Sequence, residues 1–243
     1  MVATGYSVNE ESDCQLLDIT DAENTCLDLP AYPVPMYTGT GGIVSGVPMI
    51  CGGDPLDPLG GYFHSACYIF NTTSYSWTHL TNMNVERSGM ASVTLDGALW
   101  VAGGYTSNGG SEDDSTEFVY LNGTVLPGPT LPSARDDHCM VTLHDGRIMI
   151  MGSDGGTTDQ KSTIIYDPIS GNFSNVPSML FDRKRSGCAL LYSVKHGNRP
   201  IVMAAGGSNS YTAEVFDYSL AGTEWEQSKQ KIYVITVIQF LSL

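Results

Sequence analysis

Four apolar segments that end in glycine or serine recur along the chain, and this repetition constrains the fold more than any other feature. The segments are VPMICGG (47–53), ALWVAGG (98–104), RIMIMGS (147–153) and PIVMAAGG (200–207). Their last residues follow one another at steps of 51, 49 and 54 residues. A steady period of this length indicates one supersecondary unit of about 50 residues that is repeated along the chain.

Three further landmarks keep the same order in each unit: an aromatic residue that closes a second apolar run, a bulky residue, and an arginine that leads into a new strand. The aromatics are Phe70, Tyr120, Tyr166 and Phe216; the bulky residues are Trp77, Phe173 and Trp225, with Val125 or Leu126 in the second unit; the arginines are Arg87, Arg135 and Arg185. Each unit predicts four short strands, which in the second unit fall near 88–95, 98–103, 115–121 and 124–126. Asp-Gly turns at 96–97 and 145–146 join the first two strands as tight hairpins.

A single four-stranded unit cannot bury both of its faces, whereas units arranged radially pack each sheet on the next. The sequence therefore predicts an all-β fold, a β-propeller of four-stranded antiparallel blades. The second strand of each blade is central and buried, and it ends where neighbouring blades crowd together. Glycine there tolerates the close backbone approach and the unusual φ that a side chain would forbid. The third unit has MGSDGG in place of a clean glycine pair at the end of its second strand. There Gly155 and Gly156, which come two residues later, are expected to take the role of the pair.

The ordered landmarks resemble the kelch repeat family, whose blades of about 50 residues are shared with galactose-oxidase-like propellers. The resemblance rests on the glycine pairs, on the aromatics that follow them, on Trp77 and Trp225, and on the arginines, whose role is expected to be structural. The glycine pairs are Gly52-Gly53, Gly103-Gly104 and Gly206-Gly207. The resemblance covers residues 36–227, about four blades, whereas kelch propellers usually close with six or seven, so an incomplete propeller is expected.

The two ends of the chain lie outside the resemblance. Residues 1–35 are interpreted as an N-terminal cysteine-containing segment. Residues 228–243 form an atypical tail, for which two interpretations stand: a strand of a next blade, or foreign sequence, which we favour because an open propeller would expose apolar strand edges.

Six cysteines allow 15 disulfide pairings, among which the blade arrangement selects. Cys51 and Cys67 fall on the second and third strands of one unit, so antiparallel pairing can bring them opposite each other. Cys139 and Cys188 lie 49 residues apart, which suggests equivalent places on neighbouring first strands, although these strands could stand too far apart for a bond. Cys14 and Cys26 are then left to a small N-terminal loop. The alternative is six reduced, buried thiols.

Three N-x-[ST] sequons begin at Asn71, Asn122 and Asn172, each at the turn between the third and fourth strands of a unit. Glycans at these turns would cover one face of the disc and leave the opposite face free. Together with disulfides, they predict an extracellular or secreted protein, although no signal peptide is visible in the first residues.

The composition excludes some partner classes. The chain has 26 acidic and 11 basic residues, a net charge of −15, and therefore lacks the basic surface that nucleic acid requires. No segment reaches the roughly 20 apolar residues of a membrane span. The acidic balance fits a cationic partner or Ca²⁺, or simply keeps the protein in solution.

The candidate binding residues lie on the long connections between second and third strands, at 53–63, 105–115 and 153–161. They are Asp54, Asp57, Tyr62, Tyr105, Glu112, Asp113, Asp114, Asp154 and Asp159. Acidic and aromatic side chains on such loops suit a protein or glycan ligand. The alternative is that they are ordinary solvated loops, and no DxDxDG spacing predicts a defined calcium site.

No catalytic motif stands out. The five histidines form no H-x-H or H-x₃-H cluster, and His138, at the start of an inner strand, is expected to be a hydrogen-bonded structural residue. We therefore expect a non-catalytic, kelch-like propeller that binds a protein or glycan, with no cofactor and no metal. Two alternatives remain: a fragment of a propeller-type copper radical oxidase whose metal ligands lie outside this chain, and an intracellular kelch adaptor for protein degradation.

Overall fold

A computed structural model describes residues 2–3, 14–17, 26–55, 63–106, 110–154, 160–208 and 210–228. The strands are β1 Val2–Ala3, β2 Cys14–Leu17, β3 Cys26–Leu29, β4 Met36–Tyr37, β5 Thr40–Val44, β6 Val47–Pro55, β7 His64–Asn71, β8 Ser76–Asn82, β9 Arg87–Ser88, β10 Ala91–Leu95, β11 Ala98–Ala102, β12 Tyr105–Thr106, β13 Ser111–Glu112, β14 Thr116–Tyr120, β15 Val125–Pro127, β16 Cys139–Thr142, β17 Ile148–Met151, β18 Thr163–Asp167, β19 Asn172–Val176, β20 Gly187–Ser193, β21 Arg199–Ala205, β22 Ala213–Phe216 and β23 Glu226–Gln227. Within these ranges, one short 3-10 turn, Val194–His196, is the only helical segment.

Four antiparallel sheets provide the blades, here called blades 1 to 4, each with four strands in sequence order; in the first sheet the short strand β4 also pairs with the end of β6, as a fifth strand. Blade 1 is β5–β8, blade 2 is β10, β11, β14 and β15, blade 3 is β16–β19, and blade 4 is β20–β23. The first strands of successive blades contact one another, β5 with β10, β10 with β16, and β16 with β20. The predicted all-β fold with four-stranded antiparallel blades is therefore confirmed.

The second strand of each blade is the core of the molecule. Every residue of β11 and β17 is buried, because blades pack against both faces of these strands. Alternate residues of β11 serve different neighbours: Leu99 and Val101 pack with blade 1, and Trp100 packs with blade 3, its ring centroid 4.9 Å from that of Tyr166. Burying one such large side chain contributes about 2–3 kcal/mol.

The glycines that end the second strands lie against the main chain of the next blade. Gly103 has a φ of 63°, and a Cβ built there would overlap the carbonyl oxygen of Arg135. The amide of Gly104 donates to that same oxygen over 2.7 Å. In blade 3, Gly152 and Ser153 repeat the arrangement against Arg183, so a single glycine suffices there. Gly155 and Gly156, expected to take this role, lie outside the described residues.

Arg87 and Arg183 occupy equivalent buried positions, each fully shielded from solvent. Nη1 of Arg87 donates to the carbonyl of Gly103 over 2.6 Å, and Nη1 of Arg183 donates to that of Gly206, also over 2.6 Å. Sequence reasoning chose Arg185 for this position, and the structure corrects that choice, since the Arg185 side chain is 58 % exposed. The triplet Arg-Ser-Gly occurs at 87–89 and at 185–187, but the two triplets differ by two positions in the blade register.

Arg185 instead belongs to an open series of three main-chain hydrogen bonds that links blades 1 to 4. The amide of Gly89 donates to the carbonyl of Thr38 over 2.9 Å. The amide of Asp137 donates to the carbonyl of Gly89 over 2.6 Å, and the amide of Arg185 donates to the carbonyl of Asp137 over 2.8 Å. All four residues have positive φ values, between 50° and 65°. This hydrogen-bond series fixes the main chain just before the first strand of each of the four blades.

Two of the predicted disulfide pairs are present. Cys51 and Cys67 are direct cross-strand neighbours in blade 1, and Cys139 and Cys188 join the first strands of blades 3 and 4 with a Cα–Cα distance of 6.2 Å. Cys139 and Cys188 are not equivalent, because Cys139 faces Met151 whereas Gly187, not Cys188, takes that place in blade 4. The offset of one residue turns the two thiols toward each other, since side chains alternate between the faces of a strand.

The described part of the N-terminal segment 1–35 forms a small sheet and contacts blade 1. Strands β1, β2 and β3 form an antiparallel sheet, in which Cys14 faces Leu29 and Cys26 faces Leu17, so the two cysteines are not cross-strand partners. Trp77 Nε1 donates to the carbonyl of Pro30 over 3.1 Å, as Trp225 Nε1 donates to that of Pro177 over 2.9 Å. Residues 229–243, most of the predicted tail, lie outside the described residues.

Candidate functional site on the loop face

Antiparallel order within each blade sorts the connections onto two faces of the disc. One face, here called the loop face, carries the connections between second and third strands and between successive blades. The opposite face, here called the turn face, carries the hairpins between first and second strands and the turns between third and fourth strands. The candidate binding residues fall on the loop face, whereas the sequons Asn71, Asn122 and Asn172 are exposed at the turn face.

Of the predicted binding residues, Asp57, Tyr62 and Asp159 lie outside the described residues. Asp54 is half-buried near the end of β6, where its residue pairs with Tyr37 of β4. Glu112 is half-buried in β13, and Asp114, two residues on, is exposed. Glu112 and Asp114 are therefore the residues of the second connection whose carboxylates are open to a partner.

Asp113 has a structural role instead. Its carboxylate accepts hydrogen bonds from the amide and the hydroxyl of Ser115, and it lies 3.3 Å from Nη1 of the buried Arg87. These contacts order the connection that leads back into blade 2. Because its oxygens are engaged in this way, Asp113 belongs to the scaffold of the loop face rather than to its free surface.

An aromatic pair bridges the first two blades on the loop face. The rings of Phe63 and Tyr105 meet edge to face with centroids 6.0 Å apart, and Tyr105 is 37 % exposed. The Tyr105 hydroxyl donates to the carbonyl of Gly110, which fixes the ring over its own connection. A rigid, partly exposed aromatic ring beside carboxylates is the kind of surface on which protein ligands anchor.

Close to this series of main-chain hydrogen bonds, three carboxylates from two connections come together. Asp136 and Asp137 precede β16, and Asp154 follows β17; each brings one carboxylate oxygen within 4.8 Å of the other two. Lys184 Nζ lies 2.6 Å from Asp154 Oδ1, and Arg185 Nε lies 2.7 Å from Asp137 Oδ2. We call these five residues the mouth cluster. It combines three negative and two positive side chains.

Within the mouth cluster, Asp136 is the carboxylate in the least favourable surroundings. Burial, and then the negative charges of Asp137, Asp154 and Glu112, raise the pKa of Asp136 to about 6. Burial also raises the pKa of Asp137, although Arg185 opposes this shift. A raised carboxyl pKa means that the folded protein favours the protonated form relative to the unfolded chain.

His138 is buried beside the mouth cluster, and neither ring nitrogen has a hydrogen-bond partner. Burial, and then the charge of Arg135, lower its pKa to about 3, so the imidazole is neutral at physiological pH. The expectation of a hydrogen-bonded structural histidine is therefore wrong. The ring packs against Gly103, where a Cβ would lie 3.0 Å from its Cε1.

Sequence reasoning missed Asp136, Asp137 and Lys184 as candidate site residues. The available signal was the tandem pair of carboxylates in ARDDHC, directly before a predicted inner strand. Asp154 was predicted as a binding residue from its connection, but no local pattern joins it or Lys184 to this pair of carboxylates, since only the stacking of blades brings them to the same place.

Comparison with solved structures defines the fold. The fold of this chain matches 222 chains of known structure, among them one described as the structure of YjhT. That match has a TM-score of 0.76 and covers 91 % of this chain and 78 % of the other, at 12 % sequence identity. The fold is a β-propeller. At this sequence identity the match is evidence for the fold alone. Neither a family model nor a curated protein matches the sequence.

A membrane-spanning helix is not found in the part of the chain that the structure describes. The two disulfides are compatible with an extracellular location. Binding and catalytic residues are found disproportionately on loops that a rigid scaffold positions, so the long connections of the loop face are where a site is expected.

Proposed function

We propose that this chain is a non-catalytic, kelch-like propeller of the extracellular space that binds a basic protein partner through its loop face. The observation that carries the proposal is the contrast between the two faces. The loop face gathers Glu112, Asp114 and the mouth cluster beside an anchored aromatic pair, whereas the turn face holds the three sequons. Glycans at the sequons would leave the loop face open.

Electrostatics favour a basic partner over a neutral glycan. The chain has a net charge of −15, so a basic partner is attracted from a distance and a nucleic acid is repelled. Carboxylates at the loop face then act at short range on lysine and arginine side chains, and the Phe63–Tyr105 pair offers apolar contact and cation–π stacking.

The extracellular part of the proposal rests on two supports. Disulfides persist in oxidising compartments, and the Cys51–Cys67 and Cys139–Cys188 pairs hold, respectively, two strands of one blade and two adjacent blades. In addition, Asn71, Asn122 and Asn172 are all exposed at turns, where an oligosaccharide can be attached without disturbing the core.

The experiment titrates the secreted protein with an oligolysine peptide by calorimetry at low ionic strength. The loop-face variant is E112Q/D114N, and the matched variant on the turn face is D96N/E224Q, which removes the same charge from exposed positions. We expect the loop-face variant to bind about fivefold more weakly, as the loss of two exposed ion pairs implies, and the turn-face variant to bind like wild type.

Equal binding by the two variants would mean that only net charge attracts the peptide, and the loop face would lose its special role. Absence of any binding at low salt would also contradict the proposal. Asp113 is left unchanged in both variants because it holds Arg87, so the comparison does not depend on the stability of blade 2.

A further inference from the structure

We propose that the mouth cluster binds a single calcium ion through the carboxylates of Asp136, Asp137 and Asp154. One oxygen from each residue lies within 4.8 Å of the other two, a spacing that a central cation could bridge by small side-chain rotations. Carboxylate oxygens are the ligands that Ca²⁺ prefers, and Ca²⁺ tolerates irregular coordination better than Mg²⁺ does. The inference concerns a metal site that uses carboxylates of the loop face, so a bound ion would reduce the negative charge that the mouth cluster offers to the basic partner proposed above.

A second observation points to a missing ligand. Asp136 is only 9 % exposed, and its Oδ1 is buried without a hydrogen-bond partner. A carboxylate oxygen removed from water and left unpaired is unfavourable unless a cation or a donor reaches it. The charges that act on Asp136 most strongly, those of Asp137, Asp154 and Glu112, are negative as well, so a cation bound between the carboxylates would offset the repulsion at this residue.

Lys184 and Arg185 leave room for such an ion. Arg185 Nε engages one oxygen of Asp137, Oδ2, and Lys184 Nζ engages one oxygen of Asp154, Oδ1. A carboxylate has two oxygens with several lone pairs, so each of these residues keeps an oxygen for a metal ion. The buried Arg135 lies next to the cluster and directs its Nη1 to the carbonyl of Gly152 over 3.1 Å.

The main chain holds the three carboxylates in place. The amide of Asp154 donates to the carbonyl of Asp136 over 2.9 Å, which ties the two connections together. Asp137 is fixed on both sides by the series of main-chain hydrogen bonds, because its amide donates to Gly89 and its carbonyl accepts from Arg185. A site with ligands fixed in advance loses little entropy when the ion binds.

The test is a calorimetric titration of the EDTA-treated and dialysed protein with CaCl₂, in parallel for wild type, D136N and D182N. The side chain of Asp182 is 46 % exposed and lies 3.8 Å from Lys161, so D182N removes the same charge from a residue outside the mouth cluster. We expect one bound calcium per chain in wild type and in D182N, and at least tenfold weaker binding in D136N. Absence of binding up to millimolar calcium, or equal affinities in wild type and D136N, would overturn the site.

A third variant keeps the proposal testable if D136N does not fold. K184Q removes the cation that competes for Asp154, so it should bind calcium more tightly than wild type, by about threefold or more, as the loss of one competing ion pair implies. Unchanged or weaker binding in K184Q would contradict the assignment of Asp154 as a ligand.

Discussion

The amide of Gly104 donates a 2.7 Å hydrogen bond to the carbonyl oxygen of Arg135, across the boundary between blades 2 and 3. The amide of Ser153 makes the same contact with the carbonyl of Arg183, across the next boundary, over 3.1 Å. Arg183 also closes its own blade through its side chain, which donates to the carbonyl of Gly206. The residues that end the second strands and the buried arginines of the next blade, Arg135 and Arg183, therefore form one contact that recurs between blades.

Replacing Gly103 by alanine should destabilise the protein by about 3 kcal/mol or more, because the new Cβ would overlap the carbonyl oxygen of Arg135 and would strain a positive φ. The control is G97A in the hairpin turn, which also has a positive φ but open space around it, and should cost about 1 kcal/mol. Urea denaturation measures both. Equal losses would show that the inter-blade contact is unimportant.

Arg183 and Arg185 should differ in their effect on stability. R183L leaves Glu214, which is fully buried, without the partner that now lies 2.7 Å away, so we expect a loss of about 3–5 kcal/mol. R185L removes a pair in which the arginine is largely exposed, and about 1 kcal/mol is expected. Denaturant titrations give the free energy of unfolding of each variant. If R185L were destabilised more than R183L, Arg185 and not Arg183 would be the structural arginine of this blade, as the sequence predicted.

Asp136 should make the protein less stable as the pH rises. Its carboxyl has a pKa near 3.8 in the unfolded chain and about 6 in the folded protein. Its favourable contribution is therefore complete below pH 4 and is lost as the pH increases to about 6. In EDTA, the stability of D136N relative to wild type should increase between pH 4 and pH 7. Parallel pH profiles for the two proteins would contradict the buried, unpaired state of this carboxylate.

The secreted chain should carry closed disulfides and glycans. Expressed behind a signal peptide in eukaryotic cells, it should protect Cys51, Cys67, Cys139 and Cys188 from alkylation, and its intact mass should fall when N-glycans are removed. A soluble, folded product with free thiols and bare asparagines would instead favour the intracellular adaptor considered from the sequence.

The sequence predicted the blades well because local signals determine them. The apolar run of β11, the turn at Asp96-Gly97 and the glycines after the strand each specify one conformation, and the strands of blade 2 fall where the pattern put them. Register was harder to predict. The repeated Arg-Ser-Gly triplet favoured Arg185, but hydrogen bonds to neighbouring blades, which no local pattern encodes, give the buried position to Arg183.

The candidate site was less accessible to sequence reasoning. Glu112 and Asp114 could be predicted as binding residues from the length and polarity of their connection, and in the structure both lie near the surface. The mouth cluster combines residues from three connections, and Asp154 and Lys184, 30 residues apart, form an ion pair that depends on the packing of blade 3 against blade 4. Cys139–Cys188 was predicted as a pair, but the one-residue offset that turns the thiols together became visible only in the strand register.

Hydrogen–deuterium exchange of the secreted, glycosylated protein with and without oligolysine tests the central claim most directly, because it locates the bound peptide without any mutation. We predict protection at loop-face segments, namely 110–114, 130–137 and 182–186, and unchanged exchange at the sequon turns 72–75, 121–124 and 168–171. Protection confined to the sequon turns, or spread evenly over both faces, would contradict the assignment of the loop face as the binding surface.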